Sequence, residues 1–220
     1  MPLLLRHTLE PCEGVLGIWE IAEDEAFFRA RLALTPAEQA QLDAIKGRKR
    51  TEWLAVRHLI HLLSEREVRG AILKDACGKP HLEGSTWHIS ISHSHARAAA
   101  IASPLPVGVD IQYIVPRIER IAHKFLRPEE QEALDDDHRI AHMHVYWGAK
   151  ESLYKAWGRR QLDFRAHLWL EPFPFLPEGG HTTGHIEKDG RRLDFCVYYR
   201  LLDGYMLTWA VLDAPQTPAP

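Results

Sequence analysis

The segment Val107-Gly108-Val109-Asp110-Ile111-Gln112, entered through Pro106, has the fewest structural options of any stretch in this 220-residue chain. Val107, Val109 and Ile111 alternate with Gly108, Asp110 and Gln112, the period of a strand with two unlike faces. One face is wholly apolar and must meet a core. The other carries an acid among apolar neighbours, and such a charge needs an ion partner, a hydrogen-bond network or a metal. Capping of backbone amides is the plain structural alternative for Asp110.

A second stretch, Trp147-Gly148-Ala149-Lys150-Glu151-Ser152-Leu153-Tyr154-Lys155-Ala156, reads as one helix. Glu151 and Lys155 lie four apart and share a face, with Trp147 on the same stripe. Alone, the two charges make an ordinary surface pair worth about 0.3–0.5 kcal/mol. Beside Asp110 they suggest more. Two carboxylates, with Gln112 offering an amide oxygen or orienting a water, form the oxygen-only set that Mg²⁺ takes together with substrate phosphates. Lys155 would then hold phosphate oxygens. Trp147 reads mainly as a core residue, and Lys150 as part of a solvated helix face.

Composition removes several function classes. With 27 Lys and Arg against 30 Asp and Glu, the formal net charge is −3, so no whole-chain attraction to nucleic acid or anionic membrane is expected. No apolar run approaches the roughly 20 residues that span a bilayer. Met1-Pro2-Leu3-Leu4-Leu5-Arg6 lacks the basic start and apolar core of a secretory signal. Cys12, Cys77 and Cys196 follow no ligand spacing and read as free thiols of a cytoplasmic protein. Among fourteen histidines, His138, His142 and His144 are the best candidates for zinc or iron. They lack the glutamate of a zincin arrangement and read instead as solvated or hydrogen-bonded side chains.

The chain divides into two halves of similar grammar, 1–105 and 106–213, followed by a proline-rich tail, 214–220, expected to be disordered. In the first, a strand over 14–21 precedes Thr35-Pro36-Ala37-Glu38, a helix-start signature. Helix is expected from there to about Glu65, interrupted near Gly47, then strands over 71–73, 87–91 and 96–102. In the second, the Asp110 strand is followed by helix over 117–126, a short helix from Pro128, the Glu151 helix, and strands over 167–170, 193–200 and 205–211. Gly179-Gly180 punctuates a turn, and Asp189-Gly190 suits a hairpin.

Gly108-Val109-Asp110-Ile111-Gln112 followed by Trp147 to Ala156 resembles the paired signature of the 4′-phosphopantetheinyl transferases. Gly78-Lys79-Pro80, Ile91-Ser92-His93-Ser94 and the arginine-bearing stretch Arg48 to Arg57 resemble three further pieces of that superfamily, in the same order. Length and spacing are similar to its long, pseudo-dimeric, monomeric Sfp-type branch. The resemblance implies an α+β fold of two similar α/β halves about a pseudo-twofold axis, with the active site in the cleft between them. It implies Mg²⁺-dependent transfer of 4′-phosphopantetheine from coenzyme A to a serine of an apo acyl or peptidyl carrier protein, releasing adenosine 3′,5′-bisphosphate. Asp110, Glu151 and Lys155 become the catalytic residues, with Glu151 as acceptor of the serine proton. Asp110, Gln112 and Glu151 become the metal set, though many members of the branch have glutamate where Gln112 stands. Arg48, Lys79, Pro80, Ser92, His93 and Lys155 become coenzyme A contacts. Arg50 competes with Arg48 for the 3′-phosphate. Lys79 as a turn lysine and Ser92 as a strand-end hydroxyl are the structural alternatives. Arg117, Arg120, Lys124 and Arg127 would meet the carrier. A non-catalytic relative that binds coenzyme A or a carrier is the alternative function.

Overall fold

The computed structural model describes residues 2–10 and 12–213; the expectation for 214–220 lies outside the described residues. Two antiparallel sheets carry the architecture, each with a long helix on its outer face, an α+β fold. The first sheet has six strands: β1 (Leu3–Thr8), β2 (Val15–Glu20), β3 (Ile72–Lys74), β4 (Pro80–Leu82), β5 (His88–Ser94) and β6 (Arg97–Ser103), in the order β1-β2-β6-β5-β4-β3. The second has five: β7 (Val107–Tyr113), β8 (Leu168–Leu170), β9 (Gly180–Lys188), β10 (Arg191–Leu202) and β11 (Tyr205–Leu212), in the order β7-β11-β10-β9-β8. Every strand of the first sheet precedes Pro106 and every strand of the second follows it.

Helices α1 (Glu25–Arg29), α2 (Pro36–Asp43) and α3 (Lys49–Ser64) belong to the first half. Thr35 caps α2 with the reciprocal Glu38 contact its spacing predicts, and Gly47, at φ +63°, breaks α2 from α3. The apolar stripe of α3, including Leu54, Leu59 and Leu63, packs on Ile89, Ala98 and Ala100 of the first sheet. The opposite face of that sheet presents Leu16, Ile18, Ala99 and Ile101 to Val107, Val109, Ile111 and Leu207 of the second. Beyond the second sheet lies α6 (Arg139–Trp157), whose Met143, Tyr146, Ala149 and Leu153 meet Ile186, Phe195, Val197 and Met206. The layers therefore run helix, sheet, sheet, helix, and the apolar face read into β7 is the one between the sheets.

Several elements depart from the sequence expectation. The stretch 117–126 is a 3-10 segment, Pro116–Ile121, followed by the single turn α4 (Ala122–Phe125); α5 (Pro128–Glu132) then follows as expected. The strands β1, β4 and β9 and the helix α1 were not anticipated. Strand β9, Gly-His-Thr-Thr-Gly-His-Ile-Glu-Lys, has no apolar alternation. Its pairing is fixed by the two-residue Asp189-Gly190 turn, with φ values of 51° and 71°, which joins it to β10 in register from Arg191–Lys188 onward.

Strand β7 lies close to α6 because glycine faces glycine's needs on both sides. A Cβ on Gly108 would sit 1.8 Å from the Ser152 carbonyl oxygen, and one on Gly148 would sit 3.0 Å from Gln112 Nε2 of β7 and 2.8 Å from Thr208 Oγ1 of the neighbouring β11. Gly108→Ala is accordingly expected to push the helix off the strand and destabilise the fold by about 3 kcal/mol or more. Urea denaturation of the purified variant checks this; a loss within 0.5 kcal/mol, the usual range of neutral surface changes, would show that the contact yields freely.

Candidate functional site

The acid predicted on β7 lies at the seam of the two halves. As the terminal strand of its sheet, β7 presents one row of amides with no strand beside it, and buried amides need acceptors. Alternate hydroxyls of β5 supply them. Val109 N donates to Ser90 Oγ (3.1 Å), Ile111 N to Ser92 Oγ (3.3 Å) and Tyr113 N to Ser94 Oγ (3.2 Å). Ser92 Oγ in turn donates to Asp110 Oδ1 at 2.8 Å. The segment read as a phosphate-contacting motif thus also ties the halves together.

From the other side α6 brings Lys155, whose Nζ donates to Asp110 Oδ1 (2.7 Å) and to the Val109 carbonyl (2.9 Å). Asp110 is buried, with ion pair and hydroxyl on one carboxylate oxygen. Glu151, one turn before Lys155, receives no hydrogen bond among the described residues. Its carboxyl is held above the usual range first by burial, then by the Asp110 charge, with Lys155 acting against both. The two carboxylates therefore feel each other across the β7–α6 contact. Gln112, on the same face of β7, donates from Nε2 to the His144 carbonyl at 3.2 Å, and its amide oxygen takes no hydrogen bond among the described residues.

A cleft of about 240 Å³ opens beside this seam, lined among others by Lys74, Lys79, Pro80, Ser90, Lys155 and Arg160. Lys79 lies on the turn that joins β3 to β4, and its Nζ donates to the Ala156 carbonyl (2.7 Å) at the C-terminal end of α6. That is the helix end where a cation is favoured. Burial pushes this ammonium below its ordinary value. Arg160 Nε donates to the Cys77 carbonyl at 3.2 Å, a second tie between the same turn and the segment after α6. Lys74 and Arg160 were not singled out from the sequence. Their signal was position, basic residues flanking the Gly78-Lys79-Pro80 turn and the Gly158 helix stop.

The arginine alternatives separate. Arg50 binds Glu25 through Nε and Nη2, both at 2.8 Å, and donates to the Leu42 and Ile45 carbonyls, so it ties α1 to the start of α3. Arg48 is the more exposed, near Glu52 (3.6 Å), and Glu52 also pairs with His93 Nδ1 (3.2 Å).

Two sequence expectations are corrected. Lys150 is not solvated: it is wholly buried, donating to Glu130 Oε2 (2.6 Å) and the Phe125 carbonyl (2.5 Å). Burial pushes it down to about 8 against the opposing pull of Glu130. Arg127 is not presented to a partner; its guanidinium donates to the carbonyls of Arg165 (2.8 Å) and Ala166 (2.7 Å). Trp147, expected in the core, is half-buried and packs against its border, edge-on to Phe125. The histidine cluster is structural. His142 accepts from Asp135 N (3.1 Å) and stacks on Tyr146, while His144 accepts from Val115 N (3.0 Å). Among the described residues no three or more His, Cys, Asp or Glu side chains have metal-binding spacing, and no helix is long and apolar enough to cross a membrane.

Comparison with known proteins agrees with the resemblance at superfamily level. Residues 106–209 match the family described as the 4′-phosphopantetheinyl transferase superfamily. The chain is 30% identical over 135 residues to a Bacillus subtilis protein described as a 4′-phosphopantetheinyl transferase. The aligned stretch takes in 59% of this chain and 58% of that relative, so the chain spans little more than half the relative's length.

Two stability measurements test the geometry. Ser92→Ala strips a donor from Asp110 and an acceptor from the Ile111 amide, and is expected to cost about 2–3 kcal/mol in urea denaturation; Ser90→Ala, which loses one acceptor, should cost less. His142, buried and pushed down to about 4 from its ordinary 6.5, binds its proton less readily folded than unfolded. Its contribution is complete above pH 6.5 and is lost as pH falls toward 4, a total of up to about 3 kcal/mol. Urea midpoints between pH 7.5 and 4.5 should fall more steeply for the native chain than for His142→Gln; parallel slopes would contradict this.

Proposed function

We propose that this chain, whose C-terminal half matches the 4′-phosphopantetheinyl transferase superfamily, is a transferase of the long, monomeric Sfp-type branch. It moves 4′-phosphopantetheine from coenzyme A to a serine hydroxyl of an apo acyl or peptidyl carrier protein and releases adenosine 3′,5′-bisphosphate. The observation that carries this reading is the convergence of Asp110, Glu151 and Lys155 with Ser92 at the seam of two halves, 1–105 and 106–213, beside a basic cleft. A pseudo-twofold relation between those halves belongs to the same reading. The free state of the three cysteines supports a cytoplasmic location.

The residues fit a hard divalent cation. Glu151 has no donor and Asp110 offers Oδ2, which takes no hydrogen bond among the described residues. Gln112 keeps an oxygen free because its nitrogen is bound to the helix. An all-oxygen set of this kind suits Mg²⁺ with waters and phosphate oxygens completing the shell. Asp110, Glu151 and Gln112 would hold it. When bound, the ion supplies neutralisation of charge developing on the diphosphate.

The chain's own groups do the rest. Lys155 and Ser92 fix Asp110 Oδ1 from two elements, so the carboxylate cannot rotate freely. Glu151, short of donors and raised by burial and by Asp110, is the group best suited to take the proton of an attacking serine. Lys79, Pro80 and Ser90 line the cleft for the nucleotide, with Lys74 and Arg160 adding positive charge. Arg48 and His93 suit the adenosine 3′-phosphate, since Arg50 is committed to Glu25. Arg117 and Arg120 border a second cavity, beside Gln112 and Trp147, of about 480 Å³, and support approach of an acidic carrier from that side.

Incubation with coenzyme A, Mg²⁺ and a panel of apo carriers, followed by intact mass measurement, tests the reading. A gain of one phosphopantetheine on a carrier is expected. Binding of coenzyme A with no gain across the panel would favour the non-catalytic relative. Glu151→Gln should lower turnover by about 10²–10⁴ with its circular dichroism spectrum unchanged.

A further inference from the structure

We infer that Lys79 is a positioning residue: it clasps the β3–β4 turn of the first half onto the C-terminal end of α6 and, through that helix end, holds Lys155 against Asp110. What this does to turnover rests on the transferase reading above; the clasp itself does not. Lys79 Nζ donates to the Ala156 carbonyl at 2.7 Å, and Arg160 Nε returns the tie from the segment after α6 to the Cys77 carbonyl at 3.2 Å. Both bonds join residues that precede Pro106 to residues that follow it. The stem of Lys79 is seated as firmly as its head. A Cβ on Gly158 would lie 2.2 Å from Lys79 Cδ and 3.0 Å from Nζ, so the lysine fills the space that the glycine leaves at the helix stop.

Both ends of the clasp are built for it. The last carbonyls of any helix have no intrahelical donor. Gly158, at φ +66°, ends α6, and its amide serves the Tyr154 carbonyl at 3.2 Å. Ala156 is buried, so its carbonyl needs a donor from elsewhere in the protein. An ammonium at a helix C-terminus meets that need and the dipole together. On the other side the turn is rigid. Asp75 Oδ1 accepts from Cys77 N and Lys79 N, both at 2.9 Å, and Gly78 N donates to the Asp75 carbonyl at 2.9 Å. The clasped carbonyl is one residue past Lys155, whose Nζ holds Asp110 Oδ1 at 2.7 Å. Without Lys79 the last turn of α6 loosens from Ala156 backward, and Lys155 is the first site side chain to lose its place. The family resemblance makes Lys79 a ligand of coenzyme A; its contacts commit the ammonium to the helix instead.

Lys79→Met keeps the stem over Gly158 and removes the donor. Hydrogen exchange of the ligand-free chain, read by mass spectrometry, tests the clasp. Exchange should rise about tenfold or more in two segments, 75–79 and the last turn of α6, with the sheets unchanged. Unaltered protection there, or a rise spread evenly over the chain, overturns the inference. Steady-state transfer from coenzyme A to an apo carrier then separates positioning from ligand binding. A positioning residue acting on Lys155 lowers kcat, by about tenfold, and leaves KM for coenzyme A within about threefold. A raised KM with kcat retained means that the ammonium binds the nucleotide directly, and overturns it. Gly158→Ala, which keeps Lys79 but takes its seat, should lower kcat to the same extent, and the two changes together should cost no more than either alone. Full kcat in Gly158→Ala, or losses that add, overturns the inference as well. Circular dichroism first establishes that each variant folds; should Gly158→Ala not fold at its positive φ, Lys79→Met alone decides. If the unsubstituted chain transfers nothing to any carrier, the transferase reading fails, and the exchange measurement still decides the clasp.

Discussion

The fold turns on how closely a strand and a helix can approach. Gly108 on β7 and Gly148 on α6 each lack the one carbon that would collide with the opposing element. That approach has a direct chemical consequence. Side chains as short as aspartate and as long as lysine can then meet across the contact, with Lys155 reaching both the Asp110 carboxylate and the Val109 carbonyl. With a bulkier pair of residues the helix would ride higher, and Glu151 would lose the low-dielectric setting in which it feels the Asp110 charge. Two glycines therefore let α6 sit close enough to the sheet for Glu151 to feel the Asp110 charge.

The second sheet would still drift against the first without a device to set its register. Apolar packing between Leu16, Ile18, Ala99 and Ile101 and the facing valines and isoleucine of β7 is strong but tolerant of sliding. The serines of β5 remove that tolerance. Their spacing of two matches the spacing of the outward amides of β7, so a slip by one residue would leave buried donors without acceptors. An edge strand that could recruit another chain is closed in the same step. Ser92 does this and also orients Asp110, which links the registration of the halves to the geometry of the site.

Much of this was legible because it depends on short-range period. The two faces of β7, the shared face of Glu151 and Lys155, and the Thr35 cap all follow from spacings of two, three and four residues. What escaped depends on partners far away in sequence. Strand β9 has a single apolar side chain, Ile186, and no alternation to announce it; it exists because β10 pairs with it across a two-residue turn. Lys150 looked solvated because helical spacing says which residues share a face, not which face is covered. Its cover comes from Glu130, twenty residues earlier, and from the Phe125 and Phe164 carbonyls. Arg127 reads from the sequence as one of a group with Arg117, Arg120 and Lys124, yet the chain there is 3-10 and then a single turn, so no helix face runs on to it. The sequence leaves Arg48 and Arg50 open and does not announce the helix of Glu25, which binds Arg50.

The adjacent positions Lys150 and Glu151 show how the helix keeps its site in place. About 100° of helical rotation separates them. Lys150 turns into the core, where Glu130 Oε2 also accepts from Arg127 N (2.8 Å) and Oε1 accepts from Leu170 N (3.0 Å). One carboxylate therefore fastens α5, β8 and α6 together. A buried pair of this kind contributes little net stability over apolar residues of the same size, but losing one partner costs several kcal/mol because the other charge is stranded. Its value lies in specificity of rotation. Any turn of α6 about its axis that moved Glu151 away from Asp110 would relieve their like-charge repulsion but would withdraw Lys150 from Glu130, and that loss is far larger than the gain. The buried ammonium thus fixes the rotation of α6, and with it the place of a half-buried carboxylate raised by burial and by the Asp110 charge.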